Sequence, residues 1–131
     1  MDSHSLRFIT HHSFFSGLRS GNLDSVKRLV DELTGDNPSD GSAVADLMAL
    51  QNDAGETALY VAAENNMLDL FRYLLKFSEI QTLMIRSKSD MDAFHVAAKH
   101  GHLGILLELL LRFGFSHLCL ELSDFNWVVG N

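Results

Sequence analysis

The stretch from Asn52 to Phe77, NDAGETALYVAAENNMLDLFRYLLKF, decides the fold: it reads as a turn, a short helix, a second turn and a longer helix. Gly55 gives the first turn a residue free of Cβ clash. Thr57 follows where a helix N-cap is wanted, its hydroxyl able to accept an orphan backbone N–H. Leu59, Ala62 and Ala63 make one side of the first helix small and apolar, suited to close packing. Asn65 and Asn66 stop that helix, because Asn tolerates the left-handed conformation of a C-terminal cap. The second helix places Leu68, Phe71, Leu74 and Leu75 at i, i+3, i+6 and i+7, a single apolar stripe.

The pattern recurs on both sides. Upstream, Leu23, Val26, Leu29 and Val30 follow Gly21-Asn22; downstream, Leu103, Leu106, Leu109 and Leu110 follow Gly101-His102. The short helix recurs as Ala93-Phe94-His95-Val96-Ala97-Ala98, 35 residues after Ala58–Ala63. In the first copy Phe14 and Phe15 take the places of Leu59 and Tyr60, and Gly17 and Leu18 those of the paired alanines. Matching spacing, residue size and cap type over whole units predicts an all-α solenoid of about three helix-turn-helix repeats.

These residues resemble the ankyrin family. Gly55-Glu56-Thr57-Ala58-Leu59-Tyr60 and Asp92-Ala93-Phe94-His95 are similar to the G-x-T-P-L-H consensus. Ala62-Ala63…Asn66-Met67 and Ala97-Ala98-Lys99-His100-Gly101-His102 are similar to its A-A-x-x-G-H continuation, and the offset lies near the period of about 33 typical of such repeats. More narrowly, residues 51–63 and 93–99 resemble plant ankyrin proteins of the accelerated-cell-death type, in which a long array precedes a membrane-spanning PGG domain. The resemblance implies repeats at about 10–42, 51–84 and 86–118 within a domain 1–119, placed at the N-terminal end of such an array. It also implies structural roles for Gly55, Thr57, Leu59, Ala62, Ala63, Asn66, Phe94, His95, Ala97, Ala98, Gly101 and His102. Ala58 and Ala93 stand in place of the helix-starting Pro, Tyr60 in place of His and Asn66 in place of Gly. Each departure is physically mild.

Composition narrows the class further. The 131 residues are 47% hydrophobic and 21% charged, the balance of one globular unit. A net charge of −7 disfavours a nucleic-acid partner, which needs clustered Lys and Arg. There is no 18-residue apolar stretch, the polar first residues with His4 and Arg7 do not read as a signal peptide, and the single cysteine, Cys119, suits a reducing compartment. The expected location is cytoplasmic, or the inner face of the plasma membrane through relatives or partners.

Three segments stand outside the repeats. Residues 1–9 read as a leader whose Leu6, Phe8 and Ile9 fold over the first repeat. Residues 34–50 read as an insertion: a Gly-, Pro- and Ser-rich loop, then a short helix with Val44, Leu47 and Met48 inward. Residues 120–131 form a non-repeat apolar tail, expected to cap the third repeat through Phe125 and Trp127, unless the chain is a truncated product of a longer array.

Candidate chemistry is sparse. His95 starts a helix while His100 and His102 flank the turn that ends it, so the three diverge rather than surround one ion, which needs three or four ligands at about 2 Å. His11 and His12 are adjacent and point apart. Asp90 and Asp92 flank Met91 and read as solvated carboxylates at a finger tip. No nucleophile elbow, phosphate loop or His-Glu-x-x-His motif is present. No catalytic residue, metal or other cofactor is expected. The alternative is a histidine-based metal-binding protein or enzyme.

Surface remains. In ankyrin arrays the finger tips and first helices line a rigid concave face. The resemblance places Asp53, Ala54, Glu56, Tyr60 and Glu64 on it from the second repeat, and Ser89, Asp90, Met91 and Lys99 from the third. Tyr60 and Met91 are the expected anchors amid acidic groups. The expected partner is another protein, a basic one fitting best, in plant stress or defence signalling. A second reading has the chain pair with full-length, membrane-anchored relatives through its C-terminal face and so regulate them.

Overall fold

The computed structural model describes residues 3–34 and 42–114, with side chains from His12 to Leu33 and from Ala43 to Gly114. Among the described residues eight helices follow in order: α1 (Ser3–Ser20), α2 (Leu23–Thr34), α3 (Ser42–Ala49), α4 (Ala58–Glu64), α5 (Leu68–Leu75), α6 (Ile80–Leu83), α7 (Ala93–His100) and α8 (Leu103–Phe113). Among the described residues there is no strand. The pairs α1–α2, α4–α5 and α7–α8 are antiparallel hairpins. First helices stack as α1–α4–α7, second helices α5 and α8 pack side by side, and α3 wedges between α2 and α4.

The three hairpins close with the same hydrogen bond. Asn22 N–H donates to the Gly17 carbonyl at 3.1 Å, Met67 N–H to Ala62 at 2.9 Å and His102 N–H to Ala97 at 2.9 Å. Each bond needs a left-handed residue before the donor, and Gly21 (φ 71°), Asn66 (φ 56°) and Gly101 (φ 69°) supply it. The equivalent slots are filled alike. Phe14, Leu59 and Phe94 are buried, as are Phe15, Tyr60 and His95. Behind them Gly17, Ala62 and Ala97 keep the inner helices close, for each is small and buried.

The second helices bury Val26 and Val30, Phe71 and Leu75, but Leu106 and Leu110 only partly. Leu23 and Leu68 are half-buried at the head of the stripe, whereas Leu103, expected inward with them, is 70% exposed. The cause lies in the stacking direction. A Cβ on Gly104 would sit 3.3 Å from Leu68, so the third repeat covers the second. Among the described residues nothing covers the third in the same way.

Two further expectations change. The helical backbone starts at Ser3, so residues 3–9 are the first turns of α1 and not a separate leader. The insertion does end in a helix, with Val44, Leu47 and Met48 buried. The loop through residues 35–41, Cys119 and the tail 120–131 with its expected capping role lie outside the described residues, as do the side chains of Leu6, Phe8, Ile9 and His11.

Candidate partner-binding face

Residues 51–57 and 86–92 form two fingers in the same register. Asn52 N–H donates to the Glu56 carbonyl at 3.0 Å, as Ser87 N–H does to Met91 at 2.9 Å. Gly55 N–H donates to Asn52 and Asp90 N–H to Ser87, both at 2.9 Å. Side chains brace the first finger: Asn52 Oδ1 accepts from Ala54 N–H at 3.0 Å and Glu56 N–H at 2.9 Å, and Asn52 Nδ2 donates to Glu56 Oε1 at 3.0 Å. In the second, Ser87 Oγ accepts from Ser89 N–H at 3.2 Å.

The fingers are also tied to each other. Lys88 N–H donates to the Ala54 carbonyl at 2.9 Å. Gln51 Nε2 reaches both the Gly55 carbonyl at 2.7 Å and the Arg86 carbonyl at 3.2 Å. Gly55 is required at this junction, since a Cβ there would lie 2.9 Å from the Lys88 nitrogen. Gln51 and Arg86 stand in equivalent positions, one repeat apart, and that register was the only signal in the sequence for the tie.

The expected site residues divide into two groups. Asp53, Ala54, Ser89 and Asp90 are exposed on the fingers, with Glu56 and Met91 half-buried beside them. Glu64 (half-buried) and Lys99 (exposed) lie at the far ends of α4 and α7, about 10 Å away by helix rise. Tyr60 is a correction. It is 2% exposed, one of the largest fully buried side chains, and offers no anchor to a partner. It occupies the slot of His95, in the layer where α4 meets α1 and α7.

Asp92 is a second correction: it is 1% exposed and caps α7 rather than meeting solvent. Its Oδ1 accepts from His95 N–H at 2.8 Å and from His95 Nδ1 at 2.7 Å. Thr57 caps α4 in the same way, accepting from Tyr60 N–H at 3.3 Å. The electrostatics of the fingers are mixed. Arg86 lies 3.3 Å from Asp90, and Lys88 is exposed between the acidic groups, so the face is less uniformly acidic than expected.

The histidines do structural work. His95 is locked to Asp92. His102 Nε2 lies 3.0 Å from the Glu64 carbonyl, binding the third repeat to the second, and its ring stacks on His100 with centroids 5.6 Å apart. Among the described residues no three His, Cys, Asp or Glu side chains converge on one point. Nor is any described helix long and apolar enough to cross a membrane.

Comparison with known proteins returns the same architecture. The family described as "Ankyrin repeats (3 copies)" matches residues 15–118. An ankyrin repeat-containing protein of Arabidopsis thaliana is 58% identical over 114 residues, 84% of this chain and 21% of the relative. A second from the same plant is 41% identical over 91 residues, 70% of this chain and 16% of that protein. Ankyrin repeat-containing protein ITN1, also from Arabidopsis thaliana, is 41% identical over 59 residues, 45% of this chain and 10% of its own length. The chain thus spans about a fifth or less of the length of these relatives.

Proposed function

Since this chain belongs to the ankyrin-repeat family, a protein-interaction fold, we propose that it is a non-catalytic module that grips a protein partner with its paired fingers. The observation that carries this reading is the backbone bond from Lys88 N–H to the Ala54 carbonyl. It sets Asp53, Ala54, Ser89 and Asp90 side by side on a support that does not need ordering when a partner arrives. Pre-ordered loops lose little conformational entropy on docking, so polar tips of modest area can still bind. Met91, half-buried at the finger base, is the apolar contact in place of Tyr60.

The partner that suits Asp53, Glu56 and Asp90 carries Lys or Arg at spacings that avoid Lys88 and Arg86. The resemblance to plant ankyrin proteins supports a role in stress or defence signalling, with the chain working as part of, or alongside, a longer protein. Glu64 and Lys99 form a second contact area only for a partner long enough to span both ends of α4 and α7.

The test is affinity capture from plant extract with the wild-type chain and an Asp53→Lys, Asp90→Lys variant. Both positions are exposed on the fingers, so the fold should persist, at a cost of about 1 kcal/mol for Lys at the left-handed Asp90, while the captured set loses members. Identical captured sets from the two proteins reject the finger face.

A further inference from the structure

The two fingers carry different chemistry at their tips. Gln51, Asp53, Ala54 and Gly55 of the first correspond to Arg86, Lys88, Ser89 and Asp90 of the second. One step along the stack, the tip gains two cations and a hydroxyl. Ser89 sits in the turn, and it is exposed together with its neighbours Arg86, Lys88 and Asp90. Ser87 is 8% exposed and its Oγ lies 3.0 Å from Ser89 Oγ, so the outer hydroxyl is the reachable one.

Among the described residues Ser89 is also the exposed serine or threonine that lies outside a helix. Ser13, Ser16 and Ser20 are exposed on α1, Ser25 and Thr82 are half-buried on α2 and α6, and Thr57 and Ser78 are buried. A helical serine cannot present its neighbours as an extended segment until several i→i−4 bonds break. A loop tip opens more readily. At the second finger the tip is held by Asp90 N–H to the Ser87 carbonyl and Lys88 N–H to the Ala54 carbonyl, both at 2.9 Å. Extending it also relieves the left-handed backbone of Asp90 (φ 62°), which offsets part of that cost.

We propose that Ser89 is a phosphorylation site for a protein kinase that reads basic residues ahead of its target, and that the phosphate strengthens the fingers' grip on a basic partner, the latter resting on the binding role proposed for the fingers above. Flanking charge selects the kinase class, because kinases choose substrates by charge pattern. Arg86 and Lys88, ahead of Ser89 in the chain, are both exposed. Asp92, behind it, is 1% exposed and caps α7, so an acid-directed kinase finds only Asp90. In the transfer Ser89 Oγ bonds to the γ-phosphorus of ATP, the bond from that phosphorus to the β–γ bridging oxygen breaks, and ADP leaves. The hydroxyl proton passes to the kinase's catalytic aspartate.

The product changes the face. In the unmodified chain Asp53, Glu56 and Asp90 are set against Arg86 and Lys88, a near balance of charge. A phosphate brings about two further negative charges and strong acceptor oxygens. It competes with Asp90 for Arg86, whose exposed pair at 3.3 Å is weak, and it engages the adjacent Lys88. The two cations that obstruct a basic partner are thereby occupied, and the carboxylates are left to it.

The test treats the full chain with ATP, Mg²⁺ and either a basic-directed or an acid-directed serine kinase, and locates phosphate by mass spectrometry. The basic-directed enzyme should place phosphate on Ser89. Ser89→Ala should abolish that signal, Arg86→Ala should slow it by about tenfold or more, and Arg86→Lys should restore part of the rate. Absence of phosphate from Ser89 overturns the proposal. So does modification that is indifferent to Arg86→Ala, or that only the acid-directed enzyme performs. These readouts need no partner, so they stand apart from the capture test of the fingers. The effect on binding is read by titrating a Lys- and Arg-rich peptide onto the unmodified and the phosphorylated chain at low salt. Phosphorylation should tighten binding by about threefold to tenfold. Unchanged or weaker binding overturns the switch, and capture with Asp53→Lys, Asp90→Lys judges the finger face separately.

Discussion

Asp90 adopts the left-handed backbone (φ 62°) that Gly55 adopts (φ 77°) at the equivalent place in the preceding finger. A side chain at this conformation meets its own backbone, a cost of about 1–2 kcal/mol for an ordinary L-residue and less for Asp. What Asp90 returns is an exposed ion pair with Arg86 at 3.3 Å, and such pairs contribute little. Asp90→Gly should therefore raise stability by up to about 1 kcal/mol, read as a higher denaturation midpoint. The reciprocal change, Gly55→Ala, should cost about 1–3 kcal/mol, because it adds strain and sets a Cβ against the Lys88 nitrogen. A midpoint unmoved by Asp90→Gly would show that the Arg86 pair matches the backbone strain.

Asp92 holds both the first turn of α7 and the ring of His95 through one carboxylate oxygen. Removing it in Asp92→Ala takes away a cap, worth about 0.5–2 kcal/mol, and leaves a buried imidazole without that acceptor. The expected loss is about 2–4 kcal/mol. Asp92→Thr should lose less, since Thr57 performs the capping half of the role in the preceding repeat. Urea unfolding of the two variants checks the order, and equal losses would mean that the His95 contact dominates.

Tyr73 on α5 has its phenol pushed above the usual value of 10.0, first by burial and second by the Asp31 carboxylate on α2. The native state thus holds the phenolic proton more tightly than the unfolded chain does. Stability from the neutral phenol is fully present below about pH 10 and is lost as pH rises through the raised native value. Lys27 and Lys76 lie 5.7 and 6.0 Å from the ring centroid, so the phenol has cationic neighbours as well as Asp31. The comparison that isolates the phenol is Tyr73→Phe, whose stability should fall less steeply above pH 10. Parallel alkaline curves would remove Tyr73 from the account.

The repeats were legible because a hairpin that cannot hide its own apolar flank must repeat its caps and small residues in register. Gly21, Asn66 and Gly101 announce three equivalent turns, and the structure gives all three the same closing bond. The four-residue helix α6 was not legible: its N-cap Glu79 makes no side-chain capping bond, and Ile80–Leu83 is too short to show a period. Leu70 is buried at 3% although it falls outside the i, i+3, i+6, i+7 stripe, because α5 is covered on more than one side. The finger residues could be named from register, but the bonds that join the fingers, from Lys88 N–H to the Ala54 carbonyl and from the Gln51 amide to the Arg86 carbonyl, both end on backbone oxygens, which every residue carries. Leu107 shows the opposite failure. A leucine-rich helix suggests burial everywhere, yet Leu107 is 58% exposed in the structure.

Tyr60 separates scaffold from site. Its position after Leu59 matches His95 after Phe94, and both rings fill the layer between stacked inner helices at 2% and 1% exposure. Tyr60→Ala should open a cavity there and cost about 3–5 kcal/mol, as truncation of large aromatic core residues does. Loss of partner capture in that variant would follow from loosened repeats and would say nothing about contact. Met91→Ala removes a half-buried side chain at the finger base and should cost about 1 kcal/mol or less. A variant set of Tyr60→Ala, Met91→Ala and Asp53→Lys, each measured by thermal melt and by capture, therefore discriminates. Capture lost by Met91→Ala and Asp53→Lys while both remain folded at the assay temperature assigns binding to the fingers. Capture retained by both, and lost only with the fold in Tyr60→Ala, moves the contact elsewhere on the solenoid.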